Sequence, residues 1–276
     1  MQKDRILRFL TSDGVHQLYL LSLDKVMTDI EAIRPLSELS RNTMAHAVSL
    51  ALLRSNNLKG ASQTLSFQFD FLTDLKKVIA TAKANGDVKG YVDNANACVP
   101  LTSAIISCTA DLGLKTPYHS SVFVSGETME DKINCFFSQS DQTTLIYLSN
   151  IPDSDQGKDG SEIVALLYHH LPVEGGESFV FDKEKAKKAL DGRDLESIAK
   201  EIFGEVPYEK VSEEPVRFHC DCSKKRFEGL LETMPDKDLK ELVEKAEPTV
   251  TTCGWCGKSY SFEPYEIQGL LAKRNN

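Results

Sequence analysis

Four cysteines in the last quarter of the chain have the spacing of a metal site. One residue separates Cys220 from Cys222, two separate Cys253 from Cys256, and thirty residues lie between the two pairs. Each pair can present two thiolates from one tight turn, and the long insert allows both turns to meet at one ion. Zinc prefers a closed shell of four ligands in structural sites. The spacing therefore predicts one Zn²⁺ ion held by four cysteines.

Basic residues next to both pairs support the zinc interpretation. Lys224, Lys225 and Arg226 follow the first pair, and Lys258 follows the second. Their positive charge should favour the thiolates and offset the negative charge of a Zn–S₄ centre. Two alternatives are four ordinary cysteines, buried or paired in structural disulfides, and an iron–sulfur cluster, whose usual cysteine spacings differ.

Length and composition predict one large and one small domain in a reducing compartment. The chain has 276 residues, of which 41% are hydrophobic, and seven cysteines, an odd number. Its net charge of −9 argues against a nucleic-acid or anionic-membrane partner. Residues 1–14 lack the apolar run of a signal peptide, and no stretch is long enough to span a membrane. We therefore expect the cytoplasm, with Cys98, Cys108 and Cys135 buried in the core.

The chain before the cysteine pairs predicts a mixture of strands and helices. Apolar and polar residues alternate over residues 65–71, which is the period of a half-buried strand. Asn85-Gly86 between residues 78–84 and 88–92 indicates a hairpin, although residues 75–84 also fit a short helix. The remaining predicted strands are 15–22, 99–108, 121–124, 144–148 and 163–170, and the predicted helices are 35–54 and 128–137.

The histidines are weaker candidates for a metal site. His46 lies beside the apolar stripe of the predicted helix 35–54, where a packing role is expected. His169 and His170 end a predicted strand. Adjacent strand residues point to opposite faces, so these two are not expected to share an ion.

Residues 182–190 and 194–203 predict two short, highly charged helices. Asp182 and Asp194 fit N-caps, and Gly204 fits a helix stop. The apolar face of the second helix is thin, so we interpret this segment as a linker that depends on a neighbour for stability. A solvated face on an ordinary stable helix is the alternative.

The insert between the cysteine pairs predicts a small metal-dependent module. Short helices are expected at Leu230-Leu231 and at residues 238–246, with Tyr260, Phe262 and Ile267 forming a small core around the metal. A module of this size normally depends on its ion to fold.

Motifs of the common catalytic and nucleotide-binding classes are absent from the sequence. Gly257-Lys258-Ser259 imitates the end of a Walker A motif, but Thr252 stands where that motif needs glycine. Four thiolates also close the shell, whereas catalytic zinc keeps an open position. We therefore do not expect an enzyme. The competing hypotheses are a constitutive adaptor with a purely structural zinc, and a disulfide oxidoreductase that uses Cys253 and Cys256.

The residues around the cysteines resemble those of the redox-regulated heat shock protein 33 family of bacterial chaperones. The resemblance covers essentially the whole chain. It is carried by Phe218-His-Cys-Asp-Cys-Ser223, Lys225-Arg-Phe227, Cys253-Gly-Trp-Cys256 and Tyr260-Ser-Phe262, and upstream by Lys89-Gly-Tyr-Val-Asp-Asn94, Asp111-Leu-Gly113, Pro117-Tyr118, Ser125-Gly126-Glu127, Asp131 and Ser140-Asp-Gln142.

This resemblance implies an α+β architecture in three parts. Residues 1–176 would form a mixed α/β core domain with an antiparallel-rich sheet, for client binding and dimerisation. Residues 177–215 would form a metastable helical linker. Residues 216–276 would form a small Cys₄ zinc-binding domain that acts as the redox switch.

The resemblance also implies an ATP-independent holdase that protects unfolding client proteins from aggregation during oxidative stress. In the reduced state zinc would be bound to Cys220, Cys222, Cys253 and Cys256, and the chaperone would be inactive. Oxidation would form the disulfides Cys220–Cys222 and Cys253–Cys256, release zinc and unfold the linker. The active form would be a homodimer, and ATP-dependent chaperones would later refold the clients.

Overall fold

The computed structural model describes residues 4–140, 144–152, 163–171, 179–191 and 194–274. The chain divides into two compact units, Met1–His219 and Cys220–Asn276. The predicted boundary at residues 176–177 lies outside the described residues, as do Asp141 and Gln142 of the resemblance.

The N-terminal unit contains two sheets and five helices in its described part. Its elements are β1 (Arg5–Thr11), β2 (His16–Ser22), α1 (Asp24–Ile33), α2 (Glu38–Ser55), β3 (Thr64–Asp70), β4 (Lys77–Lys83), β5 (Asp87–Val92), β6 (Ser103–Asp111), β7 (Tyr118–Ser125), α3 (Met129–Ser140), β8 (Thr144–Asn150), β9 (Val164–His170), α4 (Lys183–Ala189), α5 (Leu195–Phe203), β10 (Tyr208–Pro215) and β11 (Arg217–Phe218). The mixed α+β fold with antiparallel-rich sheets confirms the predicted fold class.

The first sheet separates two apolar cores. Its strand order is β10-β1-β2-β9-β8, with every neighbouring pair antiparallel. All seven residues of β2 are buried, as expected for a strand that is covered on both faces. Successive side chains point to opposite faces of the sheet. Tyr19 and Leu21 therefore enter what we call the first core, whereas Leu18 and Leu20 enter the second core.

The second sheet has six strands in the order β11-β5-β4-β3-β6-β7. The predicted aromatic strand is confirmed as β3, whose burial alternates and whose Phe67 and Phe69 lie in the first core. The predicted hairpin is also confirmed, because β4 pairs antiparallel with both β3 and β5. The helical alternative for residues 75–84 is therefore wrong.

Gly86 is required at the turn of this hairpin. Its φ is +79°, and a Cβ at this position would lie 2.0 Å from the carbonyl oxygen of Pro215. A side chain would therefore meet both backbone strain and a backbone clash.

Helices α4 and α5 contribute to the second core, and both follow the predicted capping chemistry. The carboxylate of Asp182 accepts a hydrogen bond from the Lys185 backbone N–H at 3.0 Å, and that of Asp194 accepts one from Ser197 at 3.1 Å. Gly204 ends α5 with a φ of +62°. The strand that follows them was not predicted: β10 pairs with β1, so residues 177–215 are not wholly helical.

The C-terminal unit is a small module with its own core. It contains α6 (Lys224–Leu231), α7 (Asp236–Glu244), β12 (Thr249–Thr252), β13 (Ser259–Phe262) and α8 (Pro264–Arg274). The predicted short helices are confirmed, with α6 beginning earlier than expected. The buried core consists of Leu231, Leu239, Phe262, Ile267 and Leu270, and Tyr260 packs against it.

The prediction of three buried core cysteines is wrong for Cys98. This residue is exposed, because the Asp74 carboxylate accepts hydrogen bonds from the Cys98 and Val99 backbone N–H groups and holds their loop at the surface. Cys108 and Cys135 are half-buried and pack against the first core. Within the described part of the chain, every helix is too short or too polar to cross a membrane.

Candidate metal centre

Two short segments of the C-terminal unit carry the four cysteines. Cys220 and Cys222 precede α6, whose N-cap is Ser223. Cys253 and Cys256 lie in the turn between β12 and β13. This turn is closed by a hydrogen bond from the Cys253 N–H to the Lys258 carbonyl at 2.8 Å, and Gly257 adopts a φ of +71°. A hairpin turn and a helix cap therefore position the thiols.

The four sulfur atoms lie within 4.8 Å of one another. The Sγ atoms of Cys220 and Cys253 are 3.8 Å apart, and those of Cys222 and Cys256 are 3.3 Å apart. A tetrahedron with Zn–S bonds of about 2.3 Å has edges of roughly 3.8 Å, whereas a disulfide requires about 2.0 Å. The arrangement thus fits a tetrahedral thiolate-bound ion, and the cysteines are unbonded to each other.

Burial of the cluster is uneven. Cys253 is buried with 4% of its surface exposed, while the other three cysteines are half-buried. Cys253 is therefore the least exposed residue of the four. Among the described residues, these four cysteines form the only group of three or more side chains that could hold a metal ion.

The hydroxyl of Tyr260 contacts Cys222, and the sequence did not predict this contact. Its hydroxyl oxygen lies 3.2 Å from the Cys222 Sγ and donates to the Cys222 carbonyl oxygen at 3.0 Å. The ring lies 5.1 Å from that of Phe227. The sequence predicted Tyr260 as a core residue, which is correct for the ring but says nothing about the hydroxyl.

As free thiols, Cys220, Cys222 and Cys256 have different acidities. Burial, with hydrogen bonds to the neighbouring cysteines, raises the pKa of Cys220 to about 12, and burial also raises the pKa of Cys256. Burial acts in the same direction on Cys222, but hydrogen bonds from Tyr260 and the other thiols outweigh it and lower its pKa to about 7. The hydrogen bond to Cys222 raises the pKa of Tyr260 to about 12. Cys222 is therefore more acidic than Cys220 and Cys256.

Two of the four basic residues next to the cysteines are paired with carboxylates. Lys224 pairs with Glu266 at 2.7 Å and lies 5.1 Å from the centre of the Phe262 ring. Arg226 pairs with Asp221 at 3.3 Å. These carboxylates neutralise part of the charge that the sequence assigned to stabilising thiolates.

The packing role that the sequence predicts for His46 is confirmed. His46 is buried and its Nδ1 lies 3.1 Å from the Tyr147 hydroxyl, which makes it a hydrogen-bonded packing residue. His170 stands opposite His16 in the sheet, and its neighbour His169 stands opposite Gln17.

Comparison with known proteins identifies the family. The model of the Hsp33 protein family matches residues 4–263. The chain belongs to the Hsp33 family. The resemblance inferred from the cysteine motifs is therefore confirmed, and with it the assignment to a family of chaperones.

Relatives named 33 kDa chaperonin match most or nearly all of the chain. A 33 kDa chaperonin from Latilactobacillus sakei subsp. sakei is 28% identical, and the alignment covers 99% of this chain and 100% of the relative. A second 33 kDa chaperonin, from Lactobacillus delbrueckii subsp. bulgaricus, is 32% identical, and the alignment covers 81% of this chain and 82% of the relative. The crystal structure of a 33 kDa chaperonin from Thermotoga maritima has the same fold, with a TM-score of 0.82, 18% identity and 99% of both chains covered.

Proposed function

We propose that this Hsp33 protein is a redox-regulated, ATP-independent holdase, and that bound zinc keeps it inactive. The observation that carries the proposal is the convergence of four sulfurs within 4.8 Å of one another in a unit whose core has only five buried residues. In such a unit the energy of metal binding is a large part of the folding energy. Chemistry at the sulfurs therefore controls whether the unit stays folded.

Zinc would be held by Cys220, Cys222, Cys253 and Cys256, one ion per chain. The sulfur spacing and the all-thiolate donor set fit this ion. When bound, zinc stabilises the thiolate form of all four ligands and links two segments that lie far apart in sequence. A closed four-ligand shell supports a switch and argues against a catalytic metal.

Oxidation by peroxide would proceed at the thiolates. A thiolate sulfur attacks one peroxide oxygen, the O–O bond breaks, and hydroxide leaves as the sulfur becomes a sulfenic acid. A second thiolate then attacks that sulfur, the S–S bond forms, and a second hydroxide leaves. Two electrons pass from the two thiolates to the peroxide, whose oxygens end as water.

The proposed disulfides are Cys220–Cys222 and Cys253–Cys256. The folded cluster also places sulfurs of different pairs close together, at 3.3 and 3.8 Å. Once the unit unfolds, however, partners one or two residues apart remain close, while the two pairs separate by a loop of thirty residues. Unfolding therefore favours disulfides within each pair.

The N-terminal unit offers a surface for clients. α4 and α5 share the second core with alternate residues of the first sheet, among them Leu7, Phe9, Leu18, Leu20 and Leu166. If the helices unfold as the proposed metastable linker, these side chains become accessible to unfolding proteins. We further propose that the active form is a homodimer in the cytoplasm, that it binds clients during oxidative stress, and that ATP-dependent chaperones refold them later.

The test combines zinc release and client protection in one sample. The reduced, zinc-loaded protein is treated with peroxide at raised temperature, while a metallochromic dye follows zinc and light scattering follows aggregation of a thermally unfolded client. A Cys98→Ser, Cys108→Ser, Cys135→Ser variant serves as the control, because it retains only the four clustered cysteines. We expect zinc loss and protection only after oxidation, with reversal of the thiol state by reductant.

Other results would support the remaining hypotheses. Zinc that resists peroxide, with client binding unchanged by redox state, would support an adaptor with a structural zinc. Turnover of a disulfide substrate would support an oxidoreductase. The burial of Cys253, with 4% of its surface exposed, already argues against attack on a large disulfide substrate by that residue.

A further inference from the structure

The hydroxyl of Tyr260 lies between two acceptors that belong to the same cysteine. It is 3.2 Å from the Cys222 Sγ and 3.0 Å from the Cys222 carbonyl oxygen. Tyr260 lies in β13, opposite Thr251, and the centre of its ring is 5.1 Å from that of Phe227, with the two rings tilted by 32°. The ring is thus held in place, and only the direction of the single hydroxyl proton can change.

The oxidation state of Cys222 decides which acceptor is stronger. A thiolate carries negative charge, so a hydrogen bond to it is stronger than one to a neutral carbonyl. A disulfide sulfur is neutral and accepts weakly. The proton therefore points to the sulfur in the thiolate form and to the carbonyl in the disulfide form, and the donor keeps a partner in both.

A hydrogen bond to a thiolate also lowers its reactivity. It draws electron density from the sulfur lone pair that attacks an oxidant, and hydrogen bonds from outside the ligand shell are known to tune metal-bound ligands. Of the four cysteines, Cys222 is the one whose sulfur Tyr260 contacts. A change at Tyr260 can therefore alter the reactivity of Cys222 without a direct effect on the other three cysteines.

We propose that Tyr260 is a positioning residue that slows oxidation of Cys222 in the reduced centre through its hydrogen bond to the sulfur. This inference rests on the proposed redox switch. The step affected is attack of the Cys222 sulfur on a peroxide oxygen, which forms an S–O bond, breaks the O–O bond and releases hydroxide. By holding the thiolate, Tyr260 sets the oxidant concentration at which the switch responds.

Tyr260→Phe removes the hydroxyl and keeps the ring. We expect zinc release and Cys222 oxidation, followed by a dye and by mass spectrometry of alkylated peptides, to become about five-fold faster, the effect of one lost hydrogen bond. Tyr265→Phe is the matched control, because Tyr265 lies in the same unit with 72% of its surface exposed. Its rates should equal those of the unmodified protein. Equal rates for both variants would overturn the proposal.

Replacement of Tyr260 by 3-fluorotyrosine tests the sign of the effect without removing the hydroxyl. Fluorine makes the hydroxyl a stronger donor, so oxidation should become slower than in the unmodified protein. This variant also keeps the proposal testable if Tyr260→Phe lowers metal affinity enough to prevent loading. Unchanged or faster oxidation would contradict the proposed role.

A spectroscopic measurement separates this inference from the redox switch itself. In the Co²⁺-loaded protein, loss of the hydrogen bond should move the thiolate-to-metal charge-transfer band to lower energy in Tyr260→Phe and leave it unchanged in Tyr265→Phe. If the unmodified protein keeps its zinc under peroxide, the proposed function fails, whereas the band still reports the hydrogen bond. If the band does not move, the inference fails even when the switch works.

Discussion

The two units of this protein differ in what holds them together. The N-terminal unit has two extended apolar cores on opposite faces of one sheet. The C-terminal unit has a single core of five buried residues, namely Leu231, Leu239, Phe262, Ile267 and Leu270. A domain this small rarely folds on apolar burial alone and usually needs disulfides or a metal. We therefore expect a change at a few sulfurs to unfold the C-terminal unit, while the strands β2 and β9 of the N-terminal unit stay folded.

The largest expected effect comes from removing one sulfur from the cluster. Cys253→Ser replaces its most buried member, so the C-terminal unit should lose metal and most of its protection from amide hydrogen exchange. Protection in β2 and β9 should persist. Hydrogen exchange followed by mass spectrometry measures both units in one sample. Cys98→Ser, at an exposed position outside the cluster, is the control and should change neither.

Retention of slow exchange in α6–α8 of Cys253→Ser would show that the small core suffices. The contrast between a metal-dependent and a core-dependent unit would then be incorrect.

A second comparison lies within the N-terminal unit, between α4 and α5. α5 buries Leu195, Ile198, Ala199, Ile202 and Phe203, whereas α4 buries only Ala186 and Ala189. Ile202→Ala should therefore lower the free energy of unfolding by about 3 kcal/mol, through lost burial and the cavity that remains. Denaturant titration measures this loss, and Lys200→Ala on the exposed side of the same helix is the control. A loss below about 1 kcal/mol would mean that α5 packs loosely.

His46 makes the stability of the N-terminal unit depend on pH. Burial, with a smaller contribution from the charge of Lys187, lowers the pKa of His46 from 6.5 to about 3. Between these values the unfolded chain binds a proton that the folded chain does not, so stability is complete above pH 6.5 and falls as the pH drops towards 3. At pH 5 the loss should be about 2 kcal/mol.

His46→Asn should make this pH dependence shallower, whereas His119→Gln, at an exposed position, should leave it unchanged. Denaturant titrations between pH 7 and pH 5 give the slopes. Equal slopes in all three proteins would mean that folding does not lower the pKa of His46.

Local chemistry made much of this fold predictable. Three kinds of signal determine structure only within a few residues of their own position. They are the aromatic alternation of β3, Asn85-Gly86 at the hairpin, and the helix caps Asp182 and Asp194. β1 and β10 were missed because charged residues interrupt their apolar pattern. The structure explains those charges: Arg5 pairs with Glu196 and Glu213 at 3.1 and 2.8 Å, across distances that no local pattern encodes.

The candidate site also has parts that the sequence predicts and parts that it does not. Spacing alone identified the four cysteines, because two thiols per turn is a local property. It could not identify Tyr260, since alternation in β13 predicts where the ring lies but not which atom the hydroxyl meets. Exposure of Cys98 was equally hidden, because it depends on the distant carboxylate of Asp74.

The smallest expected effect concerns the contacts that hold α4 against the rest of the N-terminal unit. With two buried alanines, α4 gains little from apolar contact, but Lys187 on this helix pairs with Glu130 of α3 and donates to the Ser149 carbonyl oxygen of β8 at 2.5 Å. Glu130 also accepts from the Ser149 backbone N–H at 2.7 Å. We therefore expect Lys187→Gln to weaken docking of α4 by about 1 kcal/mol and to raise its amide exchange about five-fold.

Lys188→Gln removes the same charge from an exposed position on the same helix and is the matched control. Raised salt should screen the pair and accelerate exchange of α4 in the unmodified protein but have little effect in Lys187→Gln. Exchange of α5 should change less in both cases, because its five buried side chains remain in place. If Lys187→Gln and Lys188→Gln exchange alike, the two alanines suffice to dock α4, and burial holds both α4 and α5 on the sheet. If only Lys187→Gln exchanges faster, the two helices leave the sheet by separate steps, one set by charge and one by burial.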